Sequence, residues 1–219
     1  MGKGMKAAAF VVSSIFVFGA VASAPLHAAD NTIVMPMQKS EEGKQAVFKM
    51  SMRKLWAEHV IWTRSYIVST LAGGKDAAEI EFRLLRNQVE IGSAFAPYYG
   101  QEAGTKLAEL LTQHILIAGE VVKAAKKPAS AKFLDADKRW HANSDEIATF
   151  LSGANPNWSK DMLLTMFNDH LALTTKQATS RLNKQWAEDI AAFDEVYVQA
   201  LAMANDLADG VIKQFPEKI

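Results

Sequence analysis

Residues 55–64 read LWAEHVIWTR, and this stretch decides the fold. Around it, apolar residues recur in alternating steps of four and three, at Phe48, Met52, Leu55, Trp62 and Tyr66. His59 occupies the middle position of the same series. The spacing is typical of the buried face of one helix, so the pattern predicts an amphipathic helix whose inward face carries a histidine.

Two later segments repeat this arrangement of an apolar face interrupted by a histidine. His114 lies between Leu111 and Ala118, and His170 lies between Phe167 and Thr174. In both segments the spacing again follows the helical period. We therefore expect three helices, each with one histidine facing the interior.

The whole chain after the N-terminal region has the pattern of helices separated by glycine, proline and serine. The predicted helices are 48–71, 76–97, 101–125, 130–152, 160–182 and 185–214. Expected boundaries are Gly73, an N-cap at Asp76, the PYYG turn at 97–100, and an N-cap at Ser159. No run alternates β-branched and polar residues as a strand does. The prediction is an all-α fold: an antiparallel bundle of four core helices plus two additional helices.

The last predicted helix differs from the others because its apolar face contains no histidine. We expect that face to be structural and to comprise Trp186, Ile190, Phe193, Tyr197, Ala200, Ala204, Leu207, Val211 and Phe215.

The N-terminal residues have the composition of an export signal. Lys3 and Lys6 precede an apolar run at 7–24, and small residues precede Asp30. We predict a signal peptide at 1–29, a flexible segment at 30–46 and one helical domain at 47–219. The mature protein is then secreted, periplasmic or held at the cell surface, with no stable membrane span after cleavage. An uncleaved signal acting as an anchor is the alternative, although the run is short for crossing a bilayer.

Charge and cysteine content exclude several classes of function. The chain has 24 basic and 24 acidic residues, and removing the signal leaves 22 basic against 24 acidic residues. A net charge of about −2 gives no electrostatic reason to expect nucleic acid as a partner. The absence of cysteine excludes disulfides, thiolate metal sites and covalent c-type haem.

The three inward histidines are the main candidate site. His59, His114 and His170 each lie near the middle of a predicted helix, and antiparallel helices of similar length keep their midpoints at one level. An unsatisfied buried imidazole costs about 1–3 kcal/mol, whereas a shared metal ion would satisfy all three. We therefore predict one transition-metal ion per chain, zinc or copper, bound for sensing, storage or delivery.

Non-covalent haem held by two axial histidines remains possible, and two other interpretations of the three histidines are also open. One is a metal-free structural or interaction protein of the cell surface, whose histidines form a buried hydrogen-bonded layer. The other is a hydrolase with a metal-bound water, since three nitrogen ligands leave one position free. Whether Arg64, Arg86 and Tyr98 form a ligand pocket is also open.

The fourth helix offers three further candidate ligands. Its apolar face, through Trp140 and Ile147, points Asn143 inward. His141 and Asp145 are four residues apart and share a helix face, as a ligand pair would. We expect Asn143 in the layer and His141 with Asp145 as a flanking pair. An inward His141 would make a site of four histidines.

These segments resemble an uncharacterised family of small, exported, all-helical bacterial proteins. The resemblance extends over essentially the whole mature chain. Its motifs are LWAEHVIWTR at 55–64, LLTQHILIAGE at 110–120, RWHANSDEIATFL at 139–151, DHLALT at 169–174 and GVIKQFP at 210–216. Similar proteins usually have tyrosine at the position of His141, which implies that His141 is not an essential ligand. The resemblance implies no substrate and no reaction.

Overall fold

The computed structural model describes residues 41–127 and 130–219. These residues form six α-helices and a final 3₁₀ turn, and they contain no β-strand. The helices are α1 (Glu41–Ala72), α2 (Ala77–Tyr99), α3 (Gln101–Ala124), α4 (Ala131–Ala154), α5 (Lys160–Leu182) and α6 (Trp186–Gln214), and the turn is Pro216–Lys218. The prediction of an all-α fold is confirmed.

The six helices pack as a closed cycle. Each helix contacts the helices before and after it in the chain, and α6 also packs against α1. The short connections make neighbours antiparallel. All six described helices therefore belong to one cycle, and no separate pair lies outside it. The described residues form one compact unit.

Helix α1 begins earlier than the sequence pattern predicts. It starts at Glu41, so residues 41–46 of the segment expected to be flexible are helical. Two acidic residues in its first turn, Glu41 and Glu42, favour this start because they complement the helix dipole. Residues 30–40 and the predicted signal peptide at 1–29 lie outside the described residues.

Serine side chains cap the starts of two helices, α4 and α5. The Ser130 and Ser159 hydroxyls accept the N–H groups of Phe133 and Met162, each at 3.2 Å, as N-caps do. Gly100, with φ +93°, separates α2 from α3. The predicted cap at Ser159 is confirmed.

Helix α2 begins where predicted but ends later than predicted. Asp76 is its N-cap residue, although its carboxylate makes no capping bond and instead accepts the Ser69 hydroxyl at 2.5 Å. Pro97 lies inside the last turn of α2, which continues to Tyr99. A proline there removes only one N–H from the helix, and the Gly100 N–H still bonds to the Ala96 carbonyl at 2.9 Å.

Helices α2 and α3 cross closely at two glycines. A Cβ atom built on Gly104 would lie 2.6 Å from the Gly92 carbonyl oxygen, and one built on Gly92 would lie 2.8 Å from the Ala108 Cβ. Ordinary contacts between such atoms are longer than 3.4 Å. The two backbones can therefore approach this closely only because both positions lack a side chain.

The first half of α6 turns a different face inward from the one predicted. Trp186 and Ile190 are 51% and 54% exposed, whereas Asp189 is fully buried. Arg64 holds the Asp189 carboxylate through two bonds, at 2.8 and 3.2 Å, and Arg181 adds a third at 3.3 Å. This buried charge cluster overrides the local apolar pattern. From Ala200 onward the predicted face holds, through Ala204, Leu207 and Val211.

None of the helices formed by the described residues combines the length and the hydropathy needed to cross a bilayer.

Candidate functional site

The structure buries the three predicted histidines in the interior of the bundle. His59 on α1, His114 on α3 and His170 on α5 are 3%, 5% and 4% exposed. The rings of His59 and His170 are neighbours, with their centroids 5.7 Å apart. We call these three side chains the histidine layer.

Two of the imidazoles are held by a carboxamide from the next helix. His114 Nδ1 lies 2.8 Å from Asn143 Oδ1, and His170 Nδ1 lies 2.9 Å from Gln199 Oε1. Because a carbonyl oxygen only accepts, Nδ1 of each ring carries the proton and Nε2 keeps its lone pair. Neither Nε2 has a hydrogen-bond partner within the described residues.

Each carboxamide is itself fixed by the helix that carries the histidine. Asn143 Nδ2 donates to the Leu110 carbonyl at 3.2 Å, and Gln199 Nε2 donates to the Met166 carbonyl at 2.9 Å. Both carbonyls lie four residues before a histidine. Each amide therefore bonds both the backbone of the helix that carries the histidine and the imidazole itself, and these two bonds set the orientation of the ring.

At His59 the two corresponding contacts, to the helix backbone and to the ring, are made by two different residues. Asn87 Nδ2 donates to the Leu55 carbonyl, four residues before His59, at 3.1 Å. The next residue, Gln88, places its Nε2 3.3 Å from His59 Nδ1. Here a nitrogen, rather than an oxygen, faces the ring.

These contacts reveal an internal repeat that the sequence analysis did not find. The six helices form three hairpins, α1–α2, α3–α4 and α5–α6. In each hairpin the histidine on the first helix contacts a side-chain amide 29 residues later, on the second helix. The histidines are 55 and 56 residues apart, and flanking buried positions recur at intervals of 56. They include Leu84, Trp140 and Val196, then Ile91, Ile147 and Met203, then Phe95, Leu151 and Leu207. A recurring histidine and amide at a spacing of 28 or 29 residues was the signal available in the sequence.

Burial keeps the histidine layer uncharged. It lowers the pKa of His114 to about 3, even though the bond to Asn143 acts in the opposite direction. It also lowers the pKa of His170 and, more strongly, that of His59, where repulsion from His170 and His114 adds to the effect. At neutral pH the rings are therefore neutral, the form in which histidine binds metals.

The prediction that His141 and Asp145 flank the site was wrong. Both side chains are exposed: His141 Nδ1 bonds Asn168 Oδ1 at 3.1 Å, and Asp145 pairs with Lys160 at 2.9 Å. Asn143 points inward and is two residues from each, which is a rotation of about 200° on a helix. The inward position of Asn143 therefore requires the other two to face outward.

Arg64, Arg86 and Tyr98 have separate partners and do not form a common pocket. Arg64 binds Asp189, and the exposed Arg86 pairs with Glu90 at 3.3 Å. The Tyr98 ring packs against the aromatic rings of α1 and of the C-terminal turn.

The interior next to the histidine layer is apolar and nearly filled. A cavity of about 20 Å³ is lined by Trp56, Leu111 and Phe167, each three residues before one of the histidines. That volume holds about one water molecule. This apolar cavity therefore has no space for an organic substrate.

As the side chains stand, no group of three or more His, Cys, Asp or Glu residues within 41–127 and 130–219 is arranged to hold a metal ion. Comparison with models of known protein families, with curated proteins and with solved structures found no match to this chain. The chemistry of the site is therefore inferred from its own residues.

Proposed function

We propose that this protein is exported and binds one transition-metal ion, zinc or copper, through Nε2 of His59, His114 and His170. The observation that carries the proposal is the hydrogen bonding of His114 and His170. Each donates Nδ1–H to a fixed amide oxygen, which leaves an unprotonated Nε2 in a buried layer. Histidines that bind metals in proteins are commonly oriented by such a bond from the other ring nitrogen.

Two of the three rings are already close to the separation that two ligands of one ion adopt. Zinc lies about 2.0–2.1 Å from a ligating nitrogen, so two rings sharing an ion have centroids about 5–5.5 Å apart. His59 and His170 are at 5.7 Å, so this pair needs to approach by about half an ångström.

The surroundings favour storage, sensing or delivery over catalysis. Three neutral nitrogens leave a fourth position open, as in zinc hydrolases. However, the neighbouring space of about 20 Å³ is apolar and admits no substrate larger than water. A metal-dependent hydrolase is therefore the weaker proposal.

The alternative is a metal-free surface protein in which the histidine layer fixes the packing of the three hairpins. The observation that favours it is the amide partner of each Nδ1, which satisfies half of each ring without any ion. Paired buried polar groups can specify one packing arrangement among several.

Elemental analysis of the exported protein, purified without a histidine tag and reconstituted with zinc or copper, separates these functions. We expect about one ion per chain, and a melting temperature that rises with free metal because the ion binds the folded state. The matched variants are His170→Gln, which should lose the ion, and His141→Gln, which should keep it. Less than about a tenth of an ion per chain in the wild-type protein would reject metal binding.

A further inference from the structure

Three side-chain amides contact the rings of the histidine layer, and among the described residues Gln88 is the one of them whose oxygen has no hydrogen-bond partner. Its side chain is fully buried, yet Oε1 has no hydrogen-bond partner there. Its Nε2 donates to the Leu84 carbonyl at 2.8 Å, and lies 3.2 Å from Asn87 Oδ1 and 3.3 Å from His59 Nδ1. In the other two hairpins the equivalent amide presents its oxygen to the ring.

The orientation of the Gln88 amide follows from its neighbours. Exchanging its nitrogen and oxygen would bring Oε1 against the Leu84 carbonyl and Asn87 Oδ1, which are both acceptors. Asn87 cannot turn to compensate, because its Nδ2 is bonded to the Leu55 carbonyl. The amide nitrogen, which cannot accept a hydrogen bond, therefore faces His59 Nδ1, so a proton on Nδ1 would have no acceptor there.

We propose that Gln88 is a positioning residue that holds His59 with its proton on Nε2, the opposite tautomer from His114 and His170. A neutral imidazole carries one proton, and a ring nitrogen that accepts a bond cannot carry it. In the metal-free protein the layer then has two acceptor nitrogens and one donor nitrogen.

The next step, in which His59 becomes a metal ligand, rests on the proposed function. Binding through Nε2 requires the proton on that nitrogen to leave to water, and a proton from water to join Nδ1. The ring stays neutral and no net proton is released. The Gln88 side chain must then leave its bonds to the Leu84 carbonyl and Asn87 Oδ1, so that Oε1 can accept the new Nδ1–H. Gln88 thus controls when the third ligand becomes available.

The tautomers are measurable without metal, from two-bond ¹H–¹⁵N spectra of the metal-free protein with ¹⁵N-labelled histidine. We expect Nδ1–H for His114 and His170 and Nε2–H for His59, with signals assigned through single His→Gln variants. Gln88→Glu offers only acceptors, so His59 should change to Nδ1–H. The matched control Gln199→Glu should leave His170 unchanged. If Gln88→Glu does not fold, Gln88→Met should still allow both His59 tautomers.

Zinc titration tests the second step of the inference. Gln88→Glu should bind zinc about tenfold more tightly than the wild-type protein, and Gln199→Glu should change affinity much less. Nδ1–H on His59 in the wild-type protein would overturn the inference, even if zinc binds. If the tautomers are as expected but neither the wild-type protein nor any variant binds zinc, the proposed function and the ligand step are both overturned. The role of Gln88 in placing the His59 proton would then still hold.

Discussion

Lowering the pH from 7 to 5 should destabilise the metal-free protein strongly, because the histidine layer is buried uncharged. An unfolded histidine has a pKa of about 6.5 and takes up a proton as the pH falls. The pKa of His114 is lowered to about 3 in the folded state, so this ring stays neutral over the same range. The unfolded chain therefore binds more protons, and the free energy of unfolding decreases as the pH falls below about 6.5.

The size of the effect follows from proton linkage. A histidine that is neutral when folded and titrates normally when unfolded loses about 2 kcal/mol of stability between pH 7 and pH 5. His114 alone should account for about that amount, and His59 and His170, whose pKa values are also lowered by burial, should add to the loss in the same direction. Typical domains have about 5–15 kcal/mol of stability, so the loss is a substantial fraction of the total.

Urea unfolding in the presence of a chelator, at several pH values between 7 and 5, measures this loss. His114→Leu removes one titrating group and should reduce the pH-dependent loss by about 2 kcal/mol, whatever its effect at pH 7. The matched control is His141→Gln, which changes an exposed ring outside the layer and should keep the wild-type loss. Equal losses in the wild-type protein and His114→Leu would refute the reasoning.

Two further predictions concern packing and charge, both measured as free energies of unfolding at pH 7. Gly92→Ala should destabilise the protein by about 1–3 kcal/mol because its Cβ meets Ala108, whereas Gly153→Ala, whose Cβ meets no atom within 4 Å, should stabilise it by about 0.5 kcal/mol. Equal effects of the two substitutions would contradict the close crossing of α2 and α3. Arg64→Met should cost about 3 kcal/mol, because it leaves the buried Asp189 carboxylate with one weaker partner. A cost below about 1 kcal/mol, typical of exposed pairs, would mean that Asp189 is not buried as a charge.

Helical periodicity identified the fold class and the inward residues because it depends on local spacing alone. His59, His114, His170 and Asn143 were all predicted to face the interior, and all four are buried. The Asn143 prediction followed from the apolar positions of α4, which fix the rotation of the whole helix. Once that rotation is known, the exposure of His141 also follows.

Features that depend on distant residues were not predictable in this way. The inward turn of Asp189 requires Arg64, which lies 125 residues earlier, so the local pattern wrongly favoured Trp186 and Ile190. Similarly, the roles of Gln88 and Gln199 appear only when each amide is placed beside its ring. The metal itself remains a prediction.

The closed cycle of helices has a consequence for chain connectivity. Phe48 near the start of α1 and Phe215 just after α6 both contact the ring of Tyr98, at centroid distances of 5.1 and 6.0 Å. The two ends of the cycle are therefore adjacent in space. A circularly permuted chain, opened at Gly100 and running from α3 through α6 to α1 and α2 across a short linker, would enclose the same interior.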